Sequence, residues 1–338
     1  MNPLFWKGKK VLVTGGAGFV ASHVVESLFT LRCDVRVADN LENGAIQNLN
    51  RHLQDIEFVQ GDLRSVDFCK KATVGMDIVL HLAAKVGGIG FNKAHPGTMF
   101  RDNVLINTNI LEASRLHRAE RILMVSSACV YPRDCTIPTP ETEGFLEVPE
   151  PTNEGYGWAK RMAEIQAKAY HQEFGMAIAI ARPYNAYGPR DHFEPEKSHV
   201  IPALIKRVFD GEDPLVVWGD GEQSRAFLFV TDLARGLVTL TEKYPKPDAV
   251  NIGTSEEIKI KDLVRLIVKY SGKNPKIVFD ASKPVGQPRR NCDTRKAEAL
   301  IGFKAEIGIE EGLRRTIDWY QRTTLRKENE LLSHHPNL

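Results

Sequence analysis

Tyr156 and Lys160, in Gly155-Tyr156-Gly157-Trp158-Ala159-Lys160, stand four residues apart, and that spacing places them on one face of a helix. An ammonium held there lowers a phenol's pKa from about 10 towards neutrality and makes it a proton shuttle. Upstream, Ser126-Ser127-Ala128-Cys129-Val130-Tyr131-Pro132 supplies Ser127, a hydroxyl able to bond the same substrate oxygen. Ser127, Tyr156 and Lys160 together are an apparatus for hydride transfer at an alcohol or ketone. Cys129, two residues beyond the serine, adds an acid–base group that plain alcohol oxidation does not require. Its presence moves the reading from dehydrogenase towards epimerase.

These residues need strand ends and helix starts to hold them. Lys10-Val11-Leu12-Val13-Thr14 is a short apolar run ending in a Gly-rich turn, as a buried parallel strand does. Apolar spacing from Ser22 to Leu31 predicts a helix, and Asp34 to Ala38 a second strand ending at Asp39. Further strands are expected at Glu57–Gln60, Asp77–Leu82, Arg121–Ser126 and Ala177–Ala181, with helices at Asn103–His117 and Ala159–Phe174. This alternation implies an α/β fold, a Rossmann-type doubly wound parallel sheet covered on both faces. The expected division is a dinucleotide domain over 1–182 and a smaller, interleaved substrate lobe over 183–320. A return strand near 226–232 should lead back to the main sheet. The polar stretch 321–338 reads as a loose tail.

Thr14-Gly15-Gly16-Ala17-Gly18-Phe19-Val20-Ala21 joins the first strand to the first helix. Gly15 and Gly18 permit a tight turn and close backbone approach, and the helix start carrying Phe19 and Val20 faces a pyrophosphate. Ala21 stands where a third glycine is common and is small enough for the helix–strand contact. Asp39, about twenty residues on, can hold both ribose hydroxyls. A carboxylate there repels the 2′-phosphate of NADP, so NAD is favoured over NADP(H). Alternatively, Asp39 caps its own loop through an Asx-turn. Asp62 and Leu63, after the third strand, can reach the adenine.

His199, in Ser198-His199-Val200-Ile201-Pro202, follows a polar, proline-bounded loop rather than an apolar face. A cysteine and a histidine on opposite faces of a ketosugar could remove and return protons beside its carbonyl. His23, His81, His95, His117 and His192 read as structural or solvated, and Cys33, Cys69, Cys135 and Cys292 as small buried hydrophobes.

With 45 basic and 43 acidic residues among 338, the formal charge is +2, which gives no footing for nucleic acid. Five cysteines without metal-ligand spacing suit a reduced, cytoplasmic protein and no metal site. No signal peptide or membrane span is read.

These residues resemble the extended short-chain dehydrogenases/reductases, in the branch that modifies nucleotide sugars. The likeness runs over roughly residues 10 to 320 and is strongest to the GDP-L-fucose synthase family of GDP-4-keto-6-deoxymannose 3,5-epimerase/4-reductases. His81-Leu82-Ala83-Ala84-Lys85-Val86-Gly87-Gly88-Ile89, Ser198-His199-Val200-Ile201-Pro202-Ala203-Leu204 and Asp280-Ala281-Ser282-Lys283-Pro284-Val285-Gly286-Gln287-Pro288-Arg289 carry it. The resemblance implies redox roles for Ser127, Tyr156 and Lys160, with Lys160 also on the nicotinamide ribose, and epimerisation roles for Cys129 and His199. It implies a grip on the nucleotide sugar by Asn185, by Arg207 and Arg225 at the diphosphate, and by Trp218, Lys283 and Arg289 at the rim. It also implies NADPH, against which Asp39 argues, and a homodimer formed through the helices 103–117 and 159–174. GDP-mannose 3,5-epimerases share the Ser-Ser-Ala-Cys stretch and retain NAD without net redox, so that reading stays open beside a nucleotide-sugar 4-epimerase. A 4,6-dehydratase is disfavoured because Ala128-Cys129 replaces its acid pair. A dinucleotide sensor, the non-enzyme alternative, has no need of Ser127, Tyr156 and Lys160 together.

Overall fold

The computed structural model describes residues 1–194, 198–283 and 287–334. A four-residue helix, α1 (Pro3–Trp6), precedes a seven-stranded sheet. Its strands are β1 (Lys10–Thr14), β2 (Asp34–Asp39), β3 (Glu57–Gln60), β4 (Ile78–His81), β5 (Arg121–Val125), β6 (Ile178–Pro183) and β11 (Val250–Ile252). They run in the order β11-β6-β5-β4-β1-β2-β3, and every neighbouring pair is parallel. Strand order reverses between β1 and β4, and the crevice beyond the strand ends at such a point receives ligands.

Strand parity explains why both faces are covered. Val11, Val13, Val35, Val37, Leu123 and Ala179 enter one core together with α2 (Phe19–Thr30) and α8 (Val230–Lys243). Leu12, Val79, Ile122, Met124, Ile178 and Ile180 enter the other, under α3 (Val66–Thr73), α5 (Pro96–Leu116) and α6 (Glu154–Phe174). Alternate residues of one strand point to opposite faces, so a continuous apolar run is what this sandwich demands. Another short helix, α4 (Ile89–Ala94), precedes α5.

A third core builds the smaller lobe, drawing on residues 187–229 and again on 260–320. It packs α7 (Val200–Phe209), α9 (Ile260–Ser271) and α11 (Ile309–His334) around the parallel pair β8 (Leu215–Trp218) and β13 (Ile277–Asp280). Two smaller sheets lie at its edge. One pairs β7 (Ala186–Tyr187) with β10 (Leu228–Phe229), and the other orders β12 (Glu257–Lys259), β9 (Ser224–Ala226) and β14 (Arg289–Arg290).

Two expectations are corrected here. Residues 226–232 do not form a strand of the main sheet: they contribute to β9 and β10, and Val230 begins α8. From Val230 the buried positions Leu233, Ala234, Leu237, Val238 and Leu240 follow helical spacing, which overrides the β-branched start. The strand that returns to the sheet is β11, and α10 (Arg295–Ile301) returns with it, placing Ala297 and Ile301 in the first core. Nor is the stretch from Gln321 a loose tail, because α11 continues through it to His334. No Gly or Pro occurs in the chain between Gln321 and Pro336, so nothing breaks the helix. Residues 335–338, and Pro284, Val285 and Gly286 of the expected substrate segment, lie outside the described residues.

Helix α6 is fixed to the sheet by a buried ion pair. Glu164 accepts from Arg182 Nε at 2.8 Å and Nη2 at 2.7 Å, and from Ser126 Oγ at 2.5 Å. Arg182 Nη1 donates to Glu141 O at 2.7 Å and to the Tyr131 hydroxyl at 3.0 Å. The two side chains are 1% and 3% exposed, so removing one charge strands the other. Arg182→Met should lower unfolding free energy by about 3–5 kcal/mol in urea titrations, and a loss below about 1 kcal/mol would contradict this account.

Candidate active site

A cleft of about 450 Å³ opens above the strand ends. Gly15, Gly18, Phe19, Val20, Asp39, Asp62 and Leu63 line it, as do Ser127, Cys129, Asn185 and His199. Thus the expected dinucleotide cradle and the two expected epimerisation groups share one cavity.

At the nucleotide end, Gly15 has φ +69° and a Cβ there would lie 2.9 Å from Ala83 Cα. Only glycine fits this turn, and the adjoining Gly18 is the N-cap of α2, so free N–H groups face the cleft. Thr14 Oγ1 accepts from Ala83 N at 3.2 Å and donates to His81 Nδ1 at 2.7 Å, while His81 Nε2 donates to Asn107 Oδ1 at 3.0 Å. Burial, aided by the Lys160 charge, lowers the His81 pKa to about 3. His81 is therefore a neutral structural clamp between β1 and β4.

Asp39 performs the capping role as well as facing the cleft. Its Oδ2 accepts from Ala17 N at 3.0 Å and its Oδ1 from Leu41 N at 2.8 Å. Nearby, Asp62 and Asp102 grip Arg64, which holds the Asp62 carboxyl below its usual pKa. Lys85 pairs with Glu42. Arg64, Asp102, Lys85 and Glu42 all line the cleft; their partners across sequence hid them from a linear reading.

The reacting end is built by β5, the turn after it, and α6. Ser127 Oγ accepts from Cys129 N at 3.1 Å and is hydrogen-bonded to Tyr156. Helix α6 can approach this turn because position 157 is glycine: a Cβ there would stand 2.5 Å from Cys129 O and 2.6 Å from Pro149 Cβ. Lys160 Nζ donates to Val125 O at 2.7 Å and lies 5.5 Å from the Tyr156 ring centroid. Burial lowers the Lys160 pKa to about 8, opposed by Cys129 and Glu164. The expected lowering of the phenol pKa does not hold in the protein by itself. Burial and then Cys129 push Tyr156 up, against the Ser127 hydrogen bond, and keep it a neutral proton donor. Lys160 is 2% exposed and does not line the cleft, whereas Tyr156 is partly exposed and reaches the cleft-lining Ser127 through its hydrogen bond.

Of the expected substrate contacts, Asn185 lines the cleft, whereas Arg207, Trp218, Arg225, Lys283 and Arg289 do not. Arg207 is tied to Glu212 and to Val216 O. Trp218 is 57% exposed at the end of β8, and Lys283 is exposed beyond β13. Arg289 is ion-paired with Glu257, while its neighbour Arg290 reaches the cleft and donates to Ala128 O at 2.9 Å. Successive strand residues face opposite sides, so the parity set by pairing β14 with β9 selects Arg290. Arg225 sits beside Arg290, and burial followed by that like charge lowers its pKa. Among the described residues, neither guanidinium has a carboxylate partner. Tyr184 and His192 also line the cleft and were not anticipated.

Residues 11–253 match the model of the NAD dependent epimerase/dehydratase family. The chain belongs to that family. It is 34% identical to GDP-L-fucose synthase 1 of Arabidopsis thaliana, over 93% of this chain and 94% of that protein. It is 32% identical to GDP-L-fucose synthase of Escherichia coli (strain K12), over 92% and 96% respectively. A solved UDP-glucose 4-epimerase with UDP-glucose from Thermotoga maritima superposes with a TM-score of 0.84 at 28% identity, covering 93% of this chain and 99% of that one.

Gly157→Ala should displace the helix start from the Ser127–Cys129 turn and slow ketone reduction at least tenfold, since misplacement by about 1 Å can lower rates about 10²-fold. Dinucleotide affinity, measured by tryptophan fluorescence, should change less than about threefold because the Gly15 turn is remote; an unaltered reduction rate contradicts the close-approach role.

Proposed function

We infer that this protein is an NAD(P)-dependent nucleotide-sugar epimerase/reductase that epimerises C3 and C5 of a GDP-linked 4-keto hexose and then reduces C4. The observation that carries this reading is Cys129, Ser127 and His199 on one cleft with the Gly15–Gly18 cradle. The relatives named GDP-L-fucose synthase support the sugar and base. Two juxtaposed guanidiniums, Arg225 and Arg290, without a carboxylate partner among the described residues, suit a diphosphate.

The cradle fits a dinucleotide: a side chain at position 15 would fill it, and helix N–H groups can meet a pyrophosphate. When bound, the nicotinamide supplies hydride for C4. Ser127 and the neutral Tyr156 bond the C4 oxygen, which acidifies the protons on C3 and C5. Cys129 acts as base on one face and His199 returns protons on the other. Tyr156 then delivers the proton that completes reduction, with Lys160 beside it as the charge that stabilises the phenolate left behind. Each acid–base group is worth roughly 10²–10⁴-fold in rate.

The dinucleotide is read as NAD. The ribose end carries Asp39, Glu42, Asp62 and Asp102, and its cations Arg64 and Lys85 are already ion-paired. A 2′-phosphate would enter a negative field. NAD should bind at least tenfold more tightly than NADP in calorimetric titrations at moderate salt; equal affinities would reject this assignment.

We also read α5 and α6 as the pairing face of a homodimer, supported by exposed Phe100, Leu105, Trp158 and Ile165 on those helices. Five free cysteines suit a reducing compartment such as the cytoplasm.

With GDP-4-keto-6-deoxymannose in D₂O, Cys129→Ser should lose deuterium incorporation at C3 and C5 by about 10²-fold or more yet still bind the dinucleotide. Tyr156→Phe should keep exchange and lose reduction. Full exchange by the Cys129→Ser protein would refute the epimerase assignment.

A further inference from the structure

Asp191 is a buried charge that the steps above leave without a task. Its backbone N–H donates to Gly188 O at 3.3 Å, closing the turn that follows β7. The side chain is 0% exposed. Oδ1 accepts from His192 N at 2.8 Å and stands 3.4 Å from His199 Nδ1, whereas Oδ2 is buried and has no hydrogen-bond partner among the described residues. A carboxylate removed from water and left half-satisfied is unfavourable unless a cation stands beside it. Among the described residues, His199 is the ion-pair partner of Asp191; the nearby Arg190 is turned to Glu26.

We propose that Asp191 is a positioning residue for epimerisation: it holds Nδ1 of His199, leaves Nε2 for the sugar, and keeps the imidazole charged as the acid. This rests on the reading of His199 given above. The hydrogen bond to Asp191 raises the His199 pKa, and the imidazole is itself 68% exposed, so its other edge is open to the cleft. Among the described residues, the other titratable or charged groups that line the cleft from the loop and the opposing segments are His192, Cys129 and Arg290, and the carboxylate of Glu194 in the loop belongs to an exposed residue.

With the full chain labelled at histidine Cε1, the His199 resonance is assigned by its absence in His199→Gln and titrated by NMR. Its pKa should lie above the ordinary value of about 6.5 and fall by about one unit in Asp191→Asn. Correspondingly, C3 and C5 deuterium incorporation by Asp191→Asn should drop about tenfold at pH 8, its alkaline limb moving to lower pH. Dinucleotide binding serves as the folding control. An unmoved His199 titration and unmoved alkaline limb in folded Asp191→Asn overturn the dyad, while leaving His199 as the acid. Undiminished exchange by His199→Gln instead overturns the reading of His199, and the dyad with it. Should Asp191→Asn not fold, the unmodified protein decides: a His199 pKa at or below about 6.5 rejects the proposal, and a higher one supports it.

Discussion

Glu164 lies four residues beyond Lys160 and eight beyond Tyr156, on the same face of α6. Its carboxylate is closed by Arg182 from β6 and by Ser126 from the end of β5. One buried acid therefore sets both the rotation and the height of the catalytic helix relative to the strand that presents Ser127. Such a pair contributes little net stability over an apolar substitute, but it tolerates only one alignment. The positions of Tyr156 and Lys160 follow from it, and Gly157 removes the last steric obstacle to the approach.

The cleft is divided electrically. Carboxylates gather around the end of β2 and the start of α5, and their cations are already engaged. Arg225 and Arg290, which have no carboxylate partner among the described residues, lie side by side on β9 and β14. On the proposed reading, the two anionic ligands would meet different receptions: helix N–H groups for one pyrophosphate and side-chain cations for the other. The lobe that carries the second set is stitched to the sheet by repeated crossings of the chain, so its cations are held to the same frame as the turn at β1.

Much of this arrangement is local in origin and could be read directly. The Gly15–Gly18 turn, the parallel strands and the Tyr156–Lys160 face depend on neighbours within a few residues. Cys129 and His199 were legible as chemistry, though only the fold brings them to one cavity. What escaped depends on pairing across long sequence separations. Arg290 rather than Arg289 meets the cleft because of how β14 registers against β9, which no local pattern reveals. Residues 226–230 satisfy a strand pattern, yet burial against α2 draws Val230 onward into α8. Arg64 and Lys85 went unassigned because their carboxylate partners, Asp102 and Glu42, are distant in sequence.

Asp39 has a consequence for how such a protein could change its redox currency. Its carboxylate lines the cleft while accepting N–H groups from the glycine turn and from its own loop. A single exchange for a neutral or basic side chain would therefore release two amides and loosen the turn at the same moment that it removed the repulsion. Adaptation to a phosphorylated dinucleotide would need the stretch from 39 to 44 replaced as one piece, with new acceptors supplied for Ala17 and Leu41. Position 39 and its loop accordingly form one unit in this chain, and an exchange at that position alone carries a structural cost.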